Sequence, residues 1–159
     1  MSLLGMIRGL IEGNVRFVVV GGVAASAHGS ARVTVDLDIC YDTAAGNREA
    51  LARVLAGWRA YPREVERGLP FAMDARTLGD MEVLTLASDA GPIDVLQRVP
   101  GVGDYAACVK AGEEVVVDGL RFTVLSLPAL IASKKAAGRP RDLEALYELE
   151  ALEELRGRS

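Results

Sequence analysis

Asp36 and Asp38 stand one residue apart in Arg32-Val33-Thr34-Val35-Asp36-Leu37-Asp38-Ile39. In an extended chain, residues two apart point to the same face and lie about 6.6 Å apart along it. The two carboxylates therefore aim at one place, while Leu37 and Ile39 turn toward the core. Parallel carboxylates repel unless a cation lies between them. Hard oxygen ligands with no histidine or cysteine partners favour Mg2+ or Mn2+. A third acid fits this set. Asp94 interrupts the apolar run Ile93-Asp94-Val95-Leu96, where an unpaired charge would be expensive to bury. On a neighbouring strand it would complete a three-carboxylate group able to hold two metal ions. Taken alone, the Asp36/Asp38 pair equally suits a solvated strand face with ordinary salt bridges. Asp42 lies about 13 Å along from Asp38 and reads as a surface or capping residue.

Gly21-Gly22 supplies the second piece of chemistry. The pair ends the β-branched run Phe17-Val18-Val19-Val20 and opens a small-residue segment, Val23-Ala24-Ala25-Ser26-Ala27-His28. Backbone amides at such a junction can approach a phosphate closely, and a helix start favours negative charge. A tight turn is the other reading of a glycine pair. No GxGxxG and no GK[ST] occurs, so neither the dinucleotide fingerprint nor a Walker loop is present.

The elements that must position these groups follow from periodicity. Leu3, Leu4, Ile7, Leu10 and Ile11 predict a helix over 3–12, ended by Gly13-Asn14. Residues 17–20 predict a strand buried on both faces, 23–28 a short helix, and 34–41 the strand that carries the aspartates. Gly46-Asn47 reads as a cap before an amphipathic helix over 48–58. Residues 60–81 are the least legible, since Tyr61-Pro62 and Leu69-Pro70 exclude long regular elements; a short helical turn is expected near 74–78. Strands over 82–87 and 93–97 flank the turn Asp89-Ala90-Gly91-Pro92, and a helix is expected over 103–111. Asp118-Gly119 joins strands over 114–117 and 120–125 as a hairpin. A helix opens at Leu127-Pro128 and ends at Gly138, and a last helix runs over 141–156 with Leu143, Leu146, Tyr147, Leu149, Leu152 and Leu155 on its apolar side.

The order strand, Gly-Gly, short helix, Asp-x-Asp and a lone later Asp resembles the nucleotidyltransferase fold of the DNA polymerase beta superfamily. Gly-Gly-x-Ala-x-x-x-His-Gly-x-x-Arg-x-Thr-x-Asp-x-Asp is similar to its small prokaryotic branch, related to AbiEii-type toxins and minimal nucleotidyltransferases. The resemblance covers residues 17–42 closely, Asp94 by pattern and 134–146 loosely. It implies an α+β fold, a mixed β-sheet packed by helices, with C-terminal helices over the cleft. One domain is expected over 1–159, its core at about 15–125 and its C-terminal helical segment at about 127–157. Gly21 and Gly22 match the phosphate-binding glycines, and Asp36, Asp38 and Asp94 the catalytic metal ligands. Gly-Gly replaces the commoner Gly-Ser, which removes one hydroxyl. The implied activity is transfer of a nucleoside monophosphate from a nucleoside triphosphate such as ATP to a hydroxyl of an RNA or protein acceptor, with Mg2+ or Mn2+ as cofactor. A cognate toxin or antitoxin partner is implied by the same resemblance.

Lys134, Lys135, Arg139, Arg141 and Asp142 form the dense basic cluster. Lys135 and Arg139 would reach one phosphate if the helix continued past Gly138; a solvated cationic helix end is the other reading. His28 is either a cap or a nucleotide contact. Arg32 either meets phosphate or compensates Asp36, and the second is preferred. Trp58, Tyr61 and Phe71 are expected in the core rather than stacked on a base.

The chain has 159 residues, half of them hydrophobic and a quarter charged, and a net charge of -4. That balance suits a globular core and excludes a generally basic nucleic-acid coat. Cys40 and Cys108 form no CxxC and read as reduced core thiols of a cytoplasmic protein, and the N-terminal segment is too short and polar for a membrane span. The alternative to the enzyme is a non-catalytic nucleotide- or partner-binding module, antitoxin-like, on the same fold. A metal-dependent phosphodiesterase or nuclease is a weaker third reading.

Overall fold

A computed structural model of the protein describes residues 1–66 and 68–157. Its elements run α1 (Leu3–Glu12), β1 (Phe17–Val20), α2 (Gly21–Ala27), β2 (Leu37–Tyr41), α3 (Ala45–Gly57), β3 (Tyr61–Pro62), α4 (Ala75–Asp80), β4 (Val83–Ala87) and β5 (Ile93–Leu96). They continue with β6 (Arg98–Val99), β7 (Gly103–Asp104), α5 (Tyr105–Lys110), β8 (Gly112–Val117), β9 (Leu120–Leu125), α6 (Leu127–Ala137), a 3-10 turn (Pro140–Asp142) and α7 (Leu143–Gly157).

Seven strands form one mixed sheet in the order β3-β4-β5-β2-β1-β9-β8. All four residues of β1 are buried, as its unbroken apolar run demands of an interior strand. β2 lies antiparallel to β1 and parallel to β5, while β9 lies parallel to β1 on its other side. The helices cover the sheet. Ser2 caps α1, which buries Met6, Ile7 and Leu10, and Trp58 packs so close to Gly9 that a Cβ there would meet the indole at 2.7 Å. Ser126 caps α6, and Gly138 stops it in the left-handed region at φ 62. The mixed sheet with packed helices is the α+β class expected.

Several elements differ from the sequence expectation. The aspartate strand begins at Leu37, not at 34. Val33 and Val35 have no strand to pair with and stand 93% and 67% exposed. Their segment is drawn instead to α7, where Glu148 accepts from Ser30 Oγ at 2.6 Å and from the Ala31 amide at 3.2 Å. Asn47 is not a cap: α3 starts at Ala45, and the buried Asn47 amide ties Arg16 N, Arg16 O and Asp42 O together. Within 60–81, where no strand was expected, β3 pairs with β4 at the sheet edge; Arg67 of that stretch lies outside the described residues. The last helix buries Leu149 but leaves Leu143, Tyr147 and Leu155 exposed. Cys40 and Cys108 are free and buried.

Tyr41 fastens α4 to the sheet. Its hydroxyl donates to Leu78 O at 2.9 Å, and Gln97 Nε2 reaches the same carbonyl at 3.0 Å. Because Gln97 still satisfies Leu78 O, Tyr41→Phe is expected to lower stability by only about 1 kcal/mol, seen as a lower urea midpoint at unchanged m-value.

Candidate active site

β1 runs into α2 with no intervening loop, and Gly21 makes the junction. Its φ is 64, and a Cβ there would overlap Asp38 Oδ2. Any side chain at this position would both strain the backbone and displace the carboxylate. A Cβ on Gly22 would meet Thr34 Oγ1 at 2.8 Å, so the chain leading to β2 folds closely over the first turn of α2. No side chain caps that turn.

Across the sheet, Asp38 is the register partner of Asp94 on the parallel strand β5, and Asp94 is in turn the partner of Thr85 on β4. Cross-strand partners share a face, so the two carboxylates meet. Burial pushes the Asp38 carboxyl up from 3.8 to about 7, helped by the charge of Asp94, a hydrogen bond with it and the charge of Asp36, and opposed by Lys134. Asp38 Oδ1 is buried and has no hydrogen-bond partner. Asp36 sits just before β2 rather than within it, so its placement comes from the irregular segment leading into the strand and not from strand alternation.

Arg63 joins the outer two acids. Its guanidinium donates to Asp94 Oδ1 at 2.8 Å and lies 3.6 Å from Asp36 Oδ2. It was missed in the sequence because 60–81 has no periodicity, and a two-residue edge strand leaves no pattern to read. Among the described residues, no three acidic, histidine or cysteine side chains are drawn together tightly enough to hold a metal ion. Asp38 and Asp94 are joined, while Asp36 is held by the Arg63 guanidinium.

Asp38 and Asp94, but not Asp36, open into a cleft of about 370 Å³ lined also by Gly21, Lys134 and Arg139, among others. Asp142 grips both cations, Arg139 at 2.6 Å and Lys134 at 3.2 Å. Burial works to raise the Asp142 carboxyl, but the bonds from Arg139 and Lys134 outweigh it and hold it below its ordinary value.

The architecture has a counterpart among solved structures. The crystal structure of a "putative nucleotidyltransferase" from Thermotoga maritima superposes with a TM-score of 0.54 at 15% sequence identity, covering 99% of this chain and 91% of that one. The nucleotidyltransferase fold is shared. No protein-family model and no curated protein sequence matches the chain.

The remaining residues of interest fall in different places. Lys134, not Lys135, lines the cleft with the carboxylates; Gly138 turns the chain left-handed, so Lys135 and Arg139 do not share one helical face, but both line an adjoining hollow that shares Lys134 and Arg139 with the cleft. Arg32 does not compensate Asp36: it lies 3.8 Å from Glu144, and Arg63 takes the Asp36 role. Arg32 does line a smaller cavity of about 140 Å³ that shares Gly21 and Lys134 with the main cleft. His28 ends α2 with Nε2 at 2.8 Å from Leu125 O and Nδ1 at 3.3 Å from Arg156, a brace between β9 and α7. No helix among the described residues is long and apolar enough to cross a membrane.

An acid raised in the folded state stabilises the fold fully below its unfolded value and loses that contribution as pH climbs toward the folded value. In EDTA, stability attributable to Asp38 is therefore expected to fall between about pH 4 and 7, and Asp38→Asn to flatten that part of the curve, read from urea midpoints across pH. Gly21→Ala is expected to destabilise by about 2 kcal/mol or more, through the positive φ and the collision with Asp38, seen in the same denaturation assay.

Proposed function

We propose that the protein is a divalent-metal-dependent nucleotidyltransferase that moves a nucleoside monophosphate from a nucleoside triphosphate to a hydroxyl of an RNA or protein acceptor. The observation that carries this reading is the register pairing of Asp38 and Asp94, with a buried Asp38 oxygen that has no hydrogen-bond partner. Two carboxylates pressed together, with one Asp38 oxygen short of a donor, are a fit for a hard cation. Asp36, Asp38 and Asp94 would hold Mg2+ or Mn2+. Once bound, the ion supplies charge neutralisation at the triphosphate and a lowered pKa for the acceptor hydroxyl.

The chain's own residues supply the rest. Lys134 and Arg139, oriented by Asp142, present positive charge to the phosphates. Gly21 keeps the cleft floor free of side chains beside Asp38. Asp94 takes the proton of the acceptor hydroxyl as its oxygen bonds to the α-phosphorus, and the bond to the bridging oxygen of the β-phosphate breaks to release pyrophosphate. The likeness to the Thermotoga maritima "putative nucleotidyltransferase" supports the same class. The likeness of residues 17–42 to the AbiEii-related branch adds a cognate toxin or antitoxin partner.

The second reading is a non-catalytic nucleotide- or partner-binding module. It is favoured by one observation, the Arg63 guanidinium paired with Asp36 and Asp94. A thermal-stability titration separates the two. Mg2+ with each nucleoside triphosphate at a hundredfold excess over Kd is expected to raise Tm by about 5 °C or more, and Asp36→Ala/Asp38→Ala to abolish the rise. Absence of any metal-dependent shift in the parent protein sinks the enzyme reading. A shift without label transfer from radioactive triphosphate to cellular RNA or protein supports the module.

A further inference from the structure

Arg63 occupies a built position. Its amide donates to Thr85 O at 2.9 Å, which extends the β3–β4 pairing by one residue. Thr85 is the register partner of Asp94, and Asp94 of Asp38. Arg63 thus stands in one transverse row with both carboxylates, at the sheet edge. The row order fixes which way the side chain runs: inward across β4 toward β5. On the way Nη2 donates to Leu86 O at 3.0 Å, then to Asp94 Oδ1 at 2.8 Å, while Nη1 lies 3.6 Å from Asp36 Oδ2. The Arg63 side chain is only about one-third exposed. A rigid planar fork held by a backbone carbonyl and spanning two carboxylates is not a loose surface charge.

Its placement bears on the cation. Asp36 and Asp94 each give an oxygen to Arg63, so those oxygens are not free to ligate, and the three acids are not gathered into a metal-holding group. The geometry points to Arg63 as the resident counter-cation of the carboxylate cluster, which a divalent ion must displace in order to bind. This rests on the metal-dependent reading of the cleft. Positive charge at this point steadies the ion-free cluster against its own repulsion, and the same charge competes with an incoming ion. Binding of the ion and pairing of Arg63 are therefore mutually exclusive states of the same oxygens. Asp38, which forms no ion pair with Arg63 and keeps a buried oxygen without a partner, is the first foothold for the ion.

Isothermal titration with MgCl2 alone tests this, with no nucleotide and no turnover. Arg63→Gln is expected to bind Mg2+ about fivefold tighter, the effect of removing two partly exposed competing ion pairs. Its metal-free form is expected to melt at lower temperature than the parent. Arg59→Gln, which removes an exposed charge paired with Asp89, is expected to leave Mg2+ affinity unchanged. Arg63→Lys keeps the charge but cannot span two carboxylates, so its affinity is expected to lie between the parent and Arg63→Gln; if Arg63→Gln does not fold, this variant decides. A folded Arg63→Gln, or failing that Arg63→Lys, with Mg2+ affinity no tighter than the parent overturns the proposal. If in that case the parent still binds Mg2+ and Asp38→Asn does not, the metal-dependent reading stands and the Arg63 proposal alone falls. If neither the parent nor a folded Arg63→Gln binds Mg2+, both fall.

Discussion

The repulsion between Asp38 and Asp94 is the constraint that organises this molecule. Parallel pairing of β2 and β5 puts the two residues in the same register row, on one face, in a partly buried cleft. Two carboxylates so placed cannot both ionise freely, and burial first, then the charge of Asp94, pushes the Asp38 carboxyl up to about 7. A fold that tolerates this must surround the pair with compensating charge and keep competing bulk away. The neighbouring elements do both. Gly21 gives up a side chain where Asp38 Oδ2 needs room, and α6 and the edge of the sheet contribute cations.

The compensation is asymmetric. On the α6 side, Lys134 and Arg139 share Asp142, so their charge is oriented but partly spent on a local partner. At the sheet edge, Arg63 pairs directly with Asp94 and Asp36. One side offers cations to an incoming anion, and the other side already neutralises the acids. The cleft lies between these two sources of charge. The cleft's walls are set by the sheet and by α6, whose Ser126 cap and Gly138 terminus fix where Lys134 can project.

The C-terminal helix acts through what it holds rather than through what it offers to the cleft. Glu148 of α7 anchors Ser30 and Ala31, and Arg156 abuts His28. These contacts pull residues 28–36 off the sheet and over the first turn of α2, where Thr34 closes against Gly22. The segment between the glycines and the aspartates is therefore shaped by a helix more than a hundred residues away in sequence. That is why β-branched Val33 and Val35, good strand formers by themselves, end exposed in a connection.

Much was legible from the chain alone. The unbroken Phe17–Val20 run specified an interior strand because only a strand buried on both faces has use for four consecutive apolar residues. An aspartate inside Ile93–Leu96 announced a partner, because a charge in an apolar strand needs one. The glycine pair, the Asp118-Gly119 hairpin and the Gly138 stop were equally local signals, each set by backbone conformation within a few residues. What only the tertiary structure decided was long-range and electrostatic. Helical periodicity puts both lysines at the end of α6 but cannot say which one faces the carboxylates; the packing of α6 chose Lys134. Nothing in Tyr61-Pro62-Arg63 marks Arg63 as a partner of Asp94, because an edge strand of two residues carries no periodicity and a guanidinium reaches across strands that lie far apart in the chain. Local propensity is written in neighbouring residues, whereas the balance of charge in a cleft is written only when distant strands come together.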